Sequence, residues 1–212
     1  MEERRKKEPN KYFAGFLDIL ESFVLAVSCV VLFFTFFARL SIVDGSSMNN
    51  TLHDGEYIVV SNVLFTYTPE NGDIVVIHGD FEDDRFDKPL VKRVIATGGQ
   101  TIKYDLLTRE LFVDGEKIDD SYAIYVDRNG NFVNYTEEPS FFQKGDNPDP
   151  SYPKYDSSTG IYTVTVPEGY VFAMGDNRNN SGDSRIIGFI SEDFIVGKAV
   201  FRIAPFSKMG AL

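Results

Sequence analysis

Seventeen consecutive residues without a charge, Ser22 to Ala38 (SFVLAVSCVVLFFTFFA), constrain this chain more than any other feature. Such a run is close to the minimum for a membrane span, since about 20 apolar residues at ~1.5 Å each cross a hydrocarbon core of roughly 30 Å. Arg39 ends the run and LSIV follows, so including Leu40 to Val43 in the span requires Arg39 to snorkel to the interface. Two other readings fit less well. A buried core helix is rarely apolar all the way round, and no polar stripe at helical period is visible here. A cleaved leader would begin its apolar region where Asp18 and Glu21 stand, and no Ala-x-Ala pattern follows the run. The expectation is an uncleaved transmembrane anchor over 22–43, preceded by a segment 1–21.

Charge orients the anchor. Arg4, Arg5, Lys6, Lys7 and Lys11 precede it, whereas Leu40 to Asp84 contain no lysine or arginine. By the positive-inside rule the N-terminus is cytoplasmic and the remainder lies outside the plasma membrane in a single-pass arrangement. The chain carries −11 overall, and residues 41–212 alone carry −12. A surface this acidic makes no general partner for nucleic acid, whose phosphates call for lysine and arginine. The single cysteine, Cys29, excludes an intrachain disulfide and reads as a small apolar residue of the anchor.

Beyond the anchor the apolar block gives way to short β-branched runs divided by turn residues. EYIVVSNVLF, GDIVVIH, PLVKRVIATGG, RELFVDGEKI, IYTVTVPEGYVFAMGD and FIVGKAVFRIAPF each suit strands of four to eight residues. Asp114-Gly115 and Asn129-Gly130 are hairpin signals, because a two-residue type I′ turn needs positive φ at both positions. The expectation is an all-β or β-rich ectodomain without a long amphipathic helix. Pro139, Pro148, Pro150 and Pro153 lie among Asn, Asp, Ser and Gly, as in a surface excursion. They place a smaller inserted β subdomain at 103–160, between core segments 44–102 and 161–212.

Only two histidines, His53 and His78, accompany the one cysteine, too few for a zinc site or a cysteine protease. A serine is also activated by a lysine, provided burial lowers the ammonium pKa from about 10.4 by several units. Lys92 qualifies locally, flanked by Leu90, Val91, Val94 and Ile95. In a strand Lys92 and Val94 share one face, and Val91 and Arg93 the other. A lysine beside an arginine is more often a solvated pair on an exposed face, and these residues alone leave both readings open.

Three further segments narrow the choice: DGSSMNNTL at 44–52, KRVIATGG at 92–99 and GDNRNNSGDSR at 175–185, with GDIVV at 72–76 between the first two. In this order behind one anchor they resemble bacterial type I signal peptidase, a serine/lysine protease family. The resemblance covers the anchor and most of the β core but little of 103–160. It implies a signal-peptidase-like β core and a membrane-anchored serine endopeptidase. Such an enzyme cuts signal peptides from exported preproteins after a small-x-small site through an acyl-enzyme, without metal or cofactor. The partners it implies are preprotein signal peptides and membrane lipid.

Position by position, the resemblance makes Ser47, rather than Ser46, the nucleophile and Lys92 the general base. Ser181 then hydrogen-bonds and orients the lysine amine, and the Ser47 N–H supplies one oxyanion donor. Val43, Gly45, Met48, Leu52, Leu90 and Val91 correspond to residues beside the substrate, the apolar ones lining a small pocket. For each of those, core packing is the plainer alternative. Arg93, Asp176, Arg178, Asp183 and Arg185 correspond to bracing positions, with Asp176 facing Arg93. Their plainer alternative is a tight polar turn.

Three positions depart from the pattern. Asn50 replaces the usual proline before Thr51-Leu52, which removes a φ constraint and implies a looser turn. Gly45 stands where some members carry a serine, and Gln100 where an acidic residue is common. Two rivals remain: a related serine/lysine protease with a dedicated substrate, and an inactive anchored β module that binds exported peptides.

Overall fold

The computed structural model describes residues 11–61, 67–78, 88–105, 107–126, 131, 140–142 and 152–212. The basic cluster Arg4–Lys7, the Asn129-Gly130 turn and most of the proline-rich 139–153 stretch lie outside the described residues. Residues 1–38 and 39–212 form two separate compact units.

The first unit is the helix α1, Lys11–Phe36, whose 22-residue stretch Gly15–Phe36 includes an 18-residue window of mean hydropathy 2.4, long and apolar enough to cross a membrane. Its serine and threonine hydroxyls are satisfied internally: Ser22 Oγ donates to Asp18 O, Ser28 Oγ to Val24 O and Thr35 Oγ1 to Val31 O. This lets serine and threonine sit in an apolar run at little cost. The helix differs from the expected 22–43 at both ends. It takes in Asp18 and Glu21, and it stops before strand β1, Ala38–Ile42. The chain turns from helical to extended there: Ala38 is buried, Arg39, Leu40 and Ile42 are exposed, and Val43 enters the core.

The second unit is built from strands β2 (Tyr57–Ser61), β3 (Ile74–Ile77), β4 (Leu90–Thr97), β5 (Thr101–Asp105), β6 (Leu111–Val113), β7 (Glu116–Lys117), β8 (Lys154–Asp156), β9 (Ile161–Thr165) and β10 (Tyr170–Met174). One short helix, α2 (Ser184–Ile187), then precedes β11 (Ile190–Ser191), β12 (Ile195–Ala204) and β13 (Gly210–Ala211). One sheet runs β1-β2-β12-β3-β4-β10-β11 with β13 on β12, and the other runs β7-β6-β5-β9-β8. The pattern that sets these strands is visible in single residues. Ile58 and Val60 of β2, and Ile102 and Tyr104 of β5, are buried, whereas Tyr57 and Lys103 between and beside them face solvent.

The smaller sheet draws on residues 101–165, a wider range than the 103–160 read from composition. Strand β9, expected in the main core, pairs along its whole length with β5, Thr101↔Thr165 through Asp105↔Ile161. Tyr162 and Val164 thereby pack with Ile102, Leu111 and Phe142. The Asp114-Gly115 turn closes β6 on β7 with φ of 52° and 87°. Gln100 stitches the sheets' junction: its Oε1 accepts from Thr97 N at 2.9 Å and its Nε2 donates to Asp114 Oδ2 at 3.1 Å.

Strand β12 serves two partners, pairing its first half with β3 (Gly197↔Val76) and its second with β2 (Ala199↔Val60). At the changeover a Cβ on Gly197 would overlap the Ser61 carbonyl oxygen and lie 2.8 Å from Val60 Cγ1. Because backbone must move to relieve this, Gly197→Ala is expected to destabilise the unit by about 1–3 kcal/mol. A thermal-unfolding midpoint equal to the parent's would contradict it.

Candidate active site

The segment after β1 is a chain of local constraints. Val43 N donates to Glu56 O and Gly55 N to Val43 O, both at 2.9 Å, so residues 43–56 form a closed loop. Gly45, at φ +96°, donates its N–H to Asp54 Oδ1 at 2.8 Å. Within the loop a tight turn carries Ser47: Asn49 N donates to Ser46 O (3.1 Å) and Leu52 N to Met48 O (2.8 Å). Met48 and Leu52 are completely enclosed and pin the turn to the core formed with Ile58, Ile74 and Val76.

Into this turn β4 delivers Lys92. The two residues are 45 positions apart in sequence, yet Lys92 Nζ lies 3.0 Å from Ser47 Oγ and donates also to Val91 O at 3.0 Å. The lysine is 2% exposed. Burial lowers its pKa to about 8, with the charge of Arg185 acting in the same direction and those of Asp183 and Asp176 opposing. A group with that pKa is a substantial fraction neutral near pH 7.5, as a general base requires.

The 175–185 segment supplies the frame. Asn177 N donates to Ser47 O at 2.9 Å, and Asn177 Nδ2 to Ser46 O at 3.2 Å. Asn180 Nδ2 reaches the Ser46 hydroxyl. Gly175 permits this approach, since a Cβ there would stand 2.5 Å from Ser47 O and collide with the Ser181 side chain. Asp176, fully buried, takes a forked ion pair from Arg93 (Nε to Oδ1 2.9 Å, Nη2 to Oδ2 2.7 Å) and a short bond from the Thr51 hydroxyl. Asp183 caps α2 and accepts from Gly175 N, Arg185 N, Arg185 Nε and Arg185 Nη2. Burial alone would raise its pKa, but Arg185 and these hydrogen bonds hold it below the ordinary carboxylate range. Arg178 forks onto Asp120 at 2.6 and 3.0 Å.

Several expected residues fall elsewhere. Ser181 does not bond the lysine amine. Its hydroxyl is buried beside Asp183, whose pKa it helps to lower, and makes no hydrogen bond of standard geometry among the described residues. The apolar set expected to line a pocket is divided. Val43, Met48 and Leu52 are core residues, with Val91 packed against them, whereas Leu90 packs on a different cluster containing Val75, Ile77 and Val94. Strand alternation separates neighbours 90 and 91 in this way. A surface hollow of about 400 Å³ walled by Phe141, Tyr152, Tyr170 and Phe189 includes neither Ser47 nor Lys92. The Asn50 turn is not loose: Asn50 sits at φ 84°, closed to proline, and its Nδ2 donates to Tyr122 O at 3.1 Å. Sequence reasoning missed Tyr122 and Asp120, which no local pattern marks out, and gave no role to Thr51, although it lies within the 44–52 segment. Among the described residues no three His, Cys, Asp or Glu side chains group so as to hold a metal ion.

A β-rich unit that brings a serine hydroxyl to a buried lysine amine has the make-up of a serine peptidase. The family model for signal peptidase, peptidase S26, matches residues 16–204. Signal peptidase IB of Staphylococcus aureus (strain COL) is 37% identical over 197 residues, covering 90% of this chain and 92% of that protein. Signal peptidase I of Bacillus amyloliquefaciens is 32% identical over 210 residues, covering 96% and 91%. A solved signal peptidase I from Enterococcus faecalis V583 is 25% identical with a TM-score of 0.40, covering 62% of this chain and 97% of that one. The chain belongs to the signal peptidase family, peptidase S26, and is a serine peptidase.

Proposed function

We propose that this protein is a membrane-anchored endopeptidase that removes signal peptides from exported preproteins, with Ser47 as nucleophile and Lys92 as general base. The observation that carries the reading is the 3.0 Å contact between Ser47 Oγ and the enclosed Lys92 amine. Neutral Lys92 takes the Ser47 proton as Oγ attacks the scissile carbonyl, and the resulting ammonium protonates the departing amine. The acyl-enzyme is released when Lys92 deprotonates a water that attacks the ester, and the proton returns to Ser47 Oγ. The Ser47 N–H is one donor to the oxyanion, an interaction typically worth about 3 kcal/mol.

Asp176, Asp183, Arg93, Arg178 and Arg185 act by holding the two reacting side chains, and Ser181 by filling the enclosed space beside Asp183. Cleavage follows a small-x-small site, the peptide lying extended beside the serine, with Gly45 leaving room for its backbone and Val91 for a small side chain. The helix α1 anchors the enzyme in the plasma membrane. The five basic residues up to Lys11 keep the N-terminus cytoplasmic, so the site acts where exported chains emerge.

Detergent-solubilised protein incubated with a preprotein is expected to cut after a small-x-small site, and Ser47→Ala to leave the preprotein intact. Undiminished cleavage by Ser47→Ala would sink the assignment of the nucleophile. Binding of signal peptides without cleavage by the parent would favour the anchored binding module.

A further inference from the structure

Residues 119–124 leave the smaller sheet after β7 and cross the back of the catalytic frame. Asp120 receives the Arg178 fork, and the chain then pairs with the frame's backbone: Ile124 N donates to Asp176 O and Arg178 N to Ile124 O, each at 2.8 Å. Between these ties sits Tyr122. Its ring lies 4.1 Å from the Arg93 guanidinium carbon and 5.9 Å from that of Arg178, so it covers the Arg93–Asp176 pair with an aromatic face. Its carbonyl accepts the Asn50 amide, which joins the strap to the turn carrying Ser47. Asn50 can do this because its left-handed backbone aims the side chain at the strap, a conformation that asparagine tolerates and proline cannot adopt.

We infer that the strap 119–124 is part of the positioning machinery, with Tyr122 and Asn50 as positioning residues that hold Ser47 against Lys92 through the Arg93–Asp176 pair and the 46–52 turn. The inference rests on the serine/lysine reading above. It gives the smaller sheet a task in catalysis, because the strap is the continuation of β7. Removing the ring admits water to Arg93 and Asp176. The charged groups facing Lys92 are Asp176, Asp183 and Arg185, and both the added water and a less neutralised Asp176 favour the protonated amine. The acidic limb of the rate profile therefore moves to higher pH.

The test uses the full chain in detergent, a fluorogenic peptide with an Ala-x-Ala site, and pH profiles of kcat and kcat/KM. Tyr122→Ala is expected to lower kcat about ten- to hundredfold, leave KM within about threefold, and move the acidic limb up by about half a pH unit. Tyr122→Phe, which keeps the ring, is expected to restore both. Asn50→Gly keeps the left-handed turn but loses the amide, and is expected to lower kcat about three- to tenfold with the same direction of shift. A folded Tyr122→Ala with the parent's kcat and acidic limb overturns the inference, as does a loss of rate with the limb unmoved. Should Tyr122→Ala not fold, a parent-like Asn50→Gly overturns it instead. Ser47→Ala and Lys92→Ala run in parallel: activity surviving there removes the dyad and the strap's role together. Their inactivity beside a parent-like Tyr122→Ala removes the strap's role alone.

Discussion

Lys92→Met is expected to lower kcat/KM by about a thousandfold or more while raising the stability of the fold at neutral pH. The first effect is the loss of the base, a contribution of typically about 10²–10⁴ in rate. The second follows from linkage. The folded-state pKa of about 8 lies below the ordinary 10.5, so the unfolded chain binds the proton more tightly. Below pH 8 the amine is charged in both states and the full cost of burying that charge is present. Between pH 8 and 10.5 the cost shrinks as the folded protein sheds its proton. Methionine, of similar length, buries no charge at any pH. Thermal unfolding of Lys92→Met at pH 7 checks this, and a midpoint below the parent's would mean that the bonds to Ser47 and Val91 O outweigh the desolvation. The same pKa predicts the parent's rate profile: log(kcat/KM) falls with unit slope as pH drops below about 8 and levels above it. A profile flat from pH 6 to 9 would contradict Lys92 as the base.

Asp176→Ala is expected to cost about 3–5 kcal/mol of stability, because it leaves the largely enclosed Arg93 without its carboxylate. The loss reaches the reaction through two routes. Thr51, which donates to Asp176, closes the turn that carries Ser47, and Arg93 follows Lys92 on β4. Activity should therefore fall together with the denaturation midpoint. Asp176→Asn retains the shape and one acceptor, and should lie between parent and alanine in both measurements. Parent-like unfolding of Asp176→Ala would show that the buried pair contributes nothing net.

The fold class was legible because each signal behind it is local. An unbroken apolar run, short β-branched runs such as EYIVV and IYTVTV, and Asp-Gly at a hairpin act within a few residues, and no distant contact is needed to read them. Boundaries were less legible for the same reason. Ala38–Ile42 is apolar enough to extend a helix, and only pairing in the larger sheet makes it a strand. Strand β9 reads equally well for either sheet, and its partner β5 decides. At the site the sequence order of motifs named Ser47 and Lys92 as candidates through resemblance. It misjudged Asn50, where the absence of proline signals a left-handed turn with its own hydrogen bond in place of slackness. Tyr122 carries no sequence signal, since an aromatic beside acidic residues is common and its value here comes from an arginine 29 positions away.

Taken by itself, the sequence determined the apolar helix, the predominance of short strands and the chemical identity of the side chains available for catalysis. Those are consequences of composition and of periods of two and 3.6 residues. Only the tertiary structure decided that Lys92 loses its water, that the Ser47 hydroxyl meets it at 3.0 Å, and that Ser181 does not. Desolvation and proximity are properties of packing between distant segments, and a lysine's pKa in a folded chain depends on what encloses it.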